Sequence, residues 1–180
     1  MKIKMSLFEK NIHGFKNNII LTLIAIGISS MGIRLFFFPY DIPITEDGLL
    51  YFRYAIDTHI LGHFPNTPLT NNGWSLFVSL FFSMIDSNNF LDYMTLQRIL
   101  SVSISTLTII PVYLLARRFF EYKYALLGAF LFAFEPRTIQ NSLFGISDPL
   151  YILLVTLSLA FFLSSRKEII YLSFGIASLA

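Results

Sequence analysis

Between Ile19 and Phe38 the only charged residue is Arg34, and no other stretch constrains the fold so tightly. An apolar run of about 20 residues crosses a ~30 Å hydrocarbon core as a helix, because inside lipid every backbone amide has to be paired within its own segment. Lys2, Lys4, Lys10 and Lys16 precede the run, which ends in the bulky Phe36-Phe37-Phe38-Pro39. A cleaved signal peptide has an apolar core of about 7–15 residues and a small-residue cleavage site. This run is therefore expected to stay in place as a first span. The chain as a whole is 55% hydrophobic and 13% charged, with mean hydropathy +0.66. Soluble domains carry about 25% charged residues, and the 20 Phe and 9 Tyr suit the aromatic belts of membrane interfaces. The expected fold class is all-α: a polytopic transmembrane helical bundle in a membrane, the plasma membrane by expectation.

Four further apolar stretches follow, Gly73–Ile85, Leu96–Ala116, Tyr124 to about Ser142, and Pro149–Leu163, and another starts at Ile169. Cytoplasmic loops hold the excess of Lys and Arg, so Arg117, Arg118 and Lys123, and the later pair Arg166–Lys167, decide which stretches cross. With the N-terminus cytoplasmic and spans at 19–38, 96–116, 124–142 and 149–163, every basic cluster falls inside. Letting Gly73–Ile85 cross would move both later clusters outside. That segment is also short of the ~20 residues a span needs, so it reads as re-entrant or interfacial. Residues 39–95 then form one large external loop carrying interfacial helices. In it, Thr45 is a plausible helix N-cap with Glu46 and Asp47 in the first turn. Leu49, Phe52, Ile56 and Ile60 make an apolar stripe, Gly62 and Pro65 end the helix, and Pro68 with Asn71-Asn72-Gly73 makes a second break.

Several function classes drop out at once. A formal charge of +2 gives no reason to expect nucleic acid, and Cys 0 excludes a disulfide framework, a thiol nucleophile and a thiolate metal site. Two adjacent carboxylates, Glu46 and Asp47, stand where the chain leaves the bilayer, which is where an enzyme acting on a lipid-borne substrate needs a base. As a plain alternative, they stabilise a helix N-terminus through its dipole. Asp148, in Ser147-Asp148-Pro149, likewise reads as a helix start, with Ser as cap and Pro where no amide hydrogen is required. Arg34, Arg98 and Arg137 fall near the outer boundary, against the usual bias. They either snorkel to headgroups, with Arg137 able to pair with Glu135, or grip a phosphate through bidentate hydrogen bonds. His59 and His63 have the i, i+4 spacing of a metal pair but no third ligand, which favours simple solvation at the interface. Trp74 is expected in the interfacial belt, with sugar stacking as its other use.

Taken in order, Arg34-Leu35-Phe36, Glu46-Asp47-Gly48-Leu49-Leu50-Tyr51-Phe52, Asn72-Gly73-Trp74-Ser75-Leu76-Phe77, Gln97-Arg98-Ile99-Leu100-Ser101-Val102, Pro111 to Phe120, Glu135-Pro136-Arg137 and Ser147-Asp148-Pro149-Leu150 resemble the N-terminal membrane half of GT-C glycosyltransferases. The protein mannosyltransferase and oligosaccharyltransferase groups are relatives of this kind. The resemblance implies transfer of a sugar from a polyprenyl- or dolichyl-phosphate carrier to an acceptor protein, lipid or glycan on the extracytoplasmic side. It implies Asp47, with Glu46, as base or acceptor-orienting group, and Arg98, Arg137 and Arg34 as candidate contacts of the carrier phosphate. Asp148 would be a second acidic residue facing Asp47, and some relatives hold a divalent cation between such a pair. The resemblance also implies more spans, often with a soluble C-terminal domain, so the chain is expected to be the N-terminal part of a longer enzyme. The rival class is a non-catalytic multi-pass protein, a transporter fragment or accessory subunit, which would place polar or broken helices at mid-bilayer.

Overall fold

The computed structural model describes residues 2–40, 42–65, 73–85, 87–163, 169, 170, 172 and 175, with side chains from Asn18 onward. The break read at Pro68 and Asn71-Asn72, the basic pair Arg166–Lys167 and most of the run from Ile169 lie outside the described residues. The described residues form eight helices: α1 (Lys2–Phe36), α2 (Glu46–Leu61), α3 (Gly73–Phe82), α4 (Phe90–Leu107), α5 (Ile109–Ala116), α6 (Tyr122–Ala133), α7 (Pro136–Phe144) and α8 (Asp148–Phe162). The chain is all-α, as expected. Two stretches are long and apolar enough to cross a membrane, Asn18–Phe36 with 19 residues and Phe90–Ala116 with 27. On the first, Leu21 and Ile28 are 63% and 68% exposed, a surface that suits lipid rather than water.

Helix boundaries follow local chemistry. α1 starts well before Ile19, because residues 2–18 contain no proline and a single glycine, Gly14. α2 keeps the expected start and stop. The Thr45 hydroxyl accepts from the Gly48 amide, and Gly62 closes the helix in the left-handed conformation (φ 69°) that glycine reaches without strain. Its buried face, however, is Gly48, Phe52 and Ala55, together with Tyr54; Leu49 and Ile60 of the expected stripe are exposed. Small residues won that face because α2 lies close against its neighbours. The expected helix at 96–116 begins earlier, at Phe90, where Asn89 caps the Leu91 amide at 3.1 Å. It is interrupted at Thr108, because Pro111 has no N–H for the Leu107 carbonyl.

The expected span 124–142 is overturned as a single helix. It divides at Phe134–Glu135 into α6 and α7, since Pro136 cannot donate into a continuing helix and is well placed in a new first turn. The Glu135 carboxylate caps α7 by accepting from the Thr138 amide and, at 2.8 Å, from the Thr138 hydroxyl. Glu135 is therefore a cap rather than simply a partner for Arg137. The apolar stretch 149–163 is helical as α8 to within a residue at each end, though at 15 residues it is shorter than the ~20 a span needs.

Two cores result. Ile44, Phe52, Ala55, Trp74, Val78, Phe82 and Ile104 pack α2 and α3 onto α4. Ile26, Ile109, Tyr113, Ala125, Ala129 and Ala133 join α1, α5 and α6, with the three alanines in one i, i+4, i+8 row that lets the backbones approach closely.

Candidate functional site

Splitting 124–142 creates buried helix ends, and a buried helix end leaves carbonyls without donors. The two buried arginines answer this. Arg34 is fully buried, and its Nη1 donates to the Ala133 carbonyl that ends α6 (3.1 Å) and to the Ser30 carbonyl (3.2 Å) and hydroxyl. Its Nε reaches Ser142 Oγ (3.2 Å) and its Nη2 reaches Ser105 Oγ (3.1 Å). Three serines, one each from α1, α4 and α7, thus surround one guanidinium. Arg98, 2% exposed, donates to Leu143 O near the end of α7 (2.7 Å) and to Pro39 O, Ile42 O and Pro43 O in the segment after α1 (2.8, 3.1 and 3.2 Å). The Arg98 guanidinium also lies 5.7 Å from the Phe38 ring centroid. Both arginines turn their donors toward protein oxygens. Of the three candidate phosphate contacts only Arg137, in the first turn of α7, is exposed.

The turn between α7 and α8 gathers the remaining bonds. Gly145 takes the left-handed conformation (φ 73°), and its carbonyl accepts from Trp74 Nε1 (3.0 Å) and Gln97 Nε2 (2.7 Å). The Phe144 carbonyl accepts from the Thr45 hydroxyl (3.3 Å), and Gln97 Nε2 also donates to Gly48 O (3.1 Å). Trp74, at 2% exposed, is a strut inside the protein, which overturns the belt and sugar-stacking expectations alike. Gly48 has to be glycine here: a Cβ would stand 2.7 Å from the Phe144 carbonyl oxygen.

This clamp lays the first turn of α2 beside the first turn of α8. Asp47 and Asp148 line one cleft of about 130 Å³ with Leu50, Tyr51, Ile146 and Ser147. The helix-start reading holds in part: Asp148 lies in the first turn of α8 with Pro149 beside it, but Ser147 gives no side-chain cap. The Ser147 side chain makes no cap bond and donates instead to Tyr51 Oη (3.2 Å). Asp148 Oδ2 accepts from Asn141 Nδ2 (2.8 Å), which fixes the carboxylate's direction. Glu46 is exposed in the same turn as Asp47 but does not line the cleft. Tyr51 and Asn141 carry no chemical signature of their own in sequence, since their roles come from partners in distant segments.

Among the described residues, no group of three or more His, Cys, Asp or Glu side chains converges. His59 packs edge-on to Phe82 (ring centroids 6.2 Å apart), and His63 Nδ1 is 2.9 Å from Phe64 O. In the cleft, two carboxylates with two hydroxyls form an all-oxygen donor set, which fits a hard divalent cation that keeps water or phosphate as its other ligands. Compared with family models, curated proteins and solved structures, the chain matches none of them.

Proposed function

We propose that the chain is the N-terminal membrane part of a GT-C-type glycosyltransferase whose acceptor is activated in the Asp47–Asp148 cleft. The observation that carries this reading is that two carboxylates from segments about a hundred residues apart line one cleft, with the Ser147 hydroxyl turned to Tyr51 rather than used as a cap. In the proposed reaction an acceptor hydroxyl or amide attacks the anomeric carbon of a polyprenyl-phosphate-linked sugar. The bond from that carbon to the phosphate oxygen breaks, the configuration inverts, and Asp47 takes the acceptor's proton. Asp148, aimed by Asn141, orients the acceptor from the opposite wall. Glu46 adds negative charge at the rim, and Arg137 is the arginine free to meet the departing phosphate. Arg34 and Arg98 support the cleft rather than the donor. A divalent cation held by Asp47 and Asp148 would supply charge neutralisation at that phosphate.

In the proposed topology the N-terminus and Arg117–Arg118 are cytoplasmic, the α6–α7 pair crosses as one broken span, and the cleft is extracytoplasmic. Arg117 lies nineteen positions after Arg98 along the α4–α5 pair, roughly 28 Å by helix rise, which suits opposite membrane faces. Single cysteines at 47 and 118 in this cysteine-free chain should label from opposite sides. Labelling from one side overturns the polarity. In the complete protein, Asp47→Asn should lower transfer from polyprenyl-phosphate sugars by at least about 100-fold with expression unchanged. Retained turnover counts against Asp47 as base.

One finding favours the rival class. Arg34 sits inside the bundle beside two interrupted helices, the arrangement of a membrane transport site. Substrate-dependent uptake into vesicles that survives Asp47→Asn and Asp148→Asn would establish that reading over the transferase.

A further inference from the structure

At the far end of α5, away from the carboxylate cleft, a second cavity of about 230 Å³ is lined by Leu114, Arg117, Arg118, Ala160 and Phe161. Its two halves differ in kind. Leu114, Ala160 and Phe161 provide an apolar wall between α5 and α8, and small Ala160 leaves room beside Phe161. Arg117 and Arg118 stand on the other side, and no carboxylate among the described residues lines the cavity. The plain explanation is that arginines at a helix end satisfy nearby carbonyls, and Arg117 does part of this, with Nη1 donating at 2.6 Å to Phe120 O in the turn after α5. That accounts for one N–H. Arg118 is exposed, and its guanidinium has no hydrogen-bond or ion-pair partner among the described residues. A pocket with paired guanidiniums beside an aliphatic wall matches a ligand that is anionic at one end and apolar at the other. Guanidinium is the side-chain group best suited to bidentate phosphate contact, and basic pockets between membrane helices select acidic headgroups.

We propose that this cavity is a binding site for one anionic phospholipid, with its headgroup phosphate on Arg117 and Arg118 and the start of an acyl chain against Leu114 and Phe161. The site rests on the membrane placement of the chain and is independent of glycosyl transfer. The test uses the full chain in detergent mixed with equimolar phosphatidylglycerol and phosphatidylcholine, with retained lipid counted by native mass spectrometry. Arg117→Gln with Arg118→Gln should cut retained phosphatidylglycerol roughly fivefold per charge and leave phosphatidylcholine unchanged. Phe161→Ala should weaken phosphatidylglycerol retention with both arginines intact. Millimolar inorganic phosphate should not displace the lipid. Equal phosphatidylglycerol retention in wild type and the double glutamine variant overturns the proposal, as does full displacement by inorganic phosphate, which would leave a simple anion site. Asp47→Asn should leave lipid retention untouched, so the lipid site and the transferase reading fail separately.

Discussion

The two cores solve the same problem, packing short apolar helices, by different means. Around α1, α5 and α6 the alanine row Ala125–Ala129–Ala133 brings helices together by shape along most of its length, and only at its last member do side chains, Arg34 and Ser30, bond to a carbonyl, that of Ala133. Around α2, α3 and α4 the aromatic residues are accompanied by directional bonds from Thr45, Trp74, Gln97 and Arg98 to backbone carbonyls of residues 143–145. Shape alone holds a bundle but tolerates sliding and rotation, whereas bonds to particular carbonyls fix register. The fixed end carries the paired carboxylates, and chemistry needs its groups held within about half an ångström.

The most damaging way to break this contrast is Arg98→Met, which removes the donors of four backbone carbonyls at once. Thermal denaturation in detergent should show a loss of about 3–5 kcal/mol, since hydrogen bonds to a charged donor contribute roughly 1.5–3 kcal/mol each and part of that is recovered by solvent. A melt like that of the wild type would mean that the bonded end is held by shape after all. Gly48→Ala comes next, at about 1–3 kcal/mol, because its methyl meets a backbone oxygen rather than a movable side chain. Spin labels at positions 50 and 146 should report a wider cleft in that variant. The matched change in the other core, Ala129→Gly, adds space instead of filling it and should cost about 0.5–1 kcal/mol, with the label distance unaltered. The smallest effect is at Glu135. Its carboxylate caps α7 through the Thr138 amide and hydroxyl, and a glutamine there keeps a carbonyl oxygen able to accept both bonds. Glu135→Gln should therefore shift the melting temperature less than any of the changes above, measured by thermal denaturation in detergent.

How much of this was legible in the sequence depended on the range of the physics involved. α2 was readable from Thr45 to Gly62 because capping and left-handed glycine are local effects. α8 was readable because its apolar run has clear borders. The hydropathy of 124–142 hid the break at Glu135, since averaging over a window passes over one acid–proline pair. The inward turn of Arg34 was not legible, because its partners Ser105, Ala133 and Ser142 lie 71 to 108 positions away. Trp74 was misread for a related reason: an indole has one donor, and nothing near it in sequence reveals the Gly145 carbonyl that takes it. For the cleft, the candidates Asp47 and Asp148 were visible as acids in first turns. That they line one cleft, with Tyr51 bonded to Ser147 and Asn141 to Asp148, emerges only from the clamp.

That the backbone of α2 nearly touches Phe144 has a geometric corollary. A helix advances about 1.5 Å and turns about 100° per residue. Shifting α2 by one position would thrust the Leu49 side chain at an oxygen and swing the neighbouring aspartate about a quarter of the way round the cylinder. The missing side chain at position 48 thus works as a keyway: it admits the helix at a single setting, and that setting brings Asp47 to the cleft that Asp148 also lines.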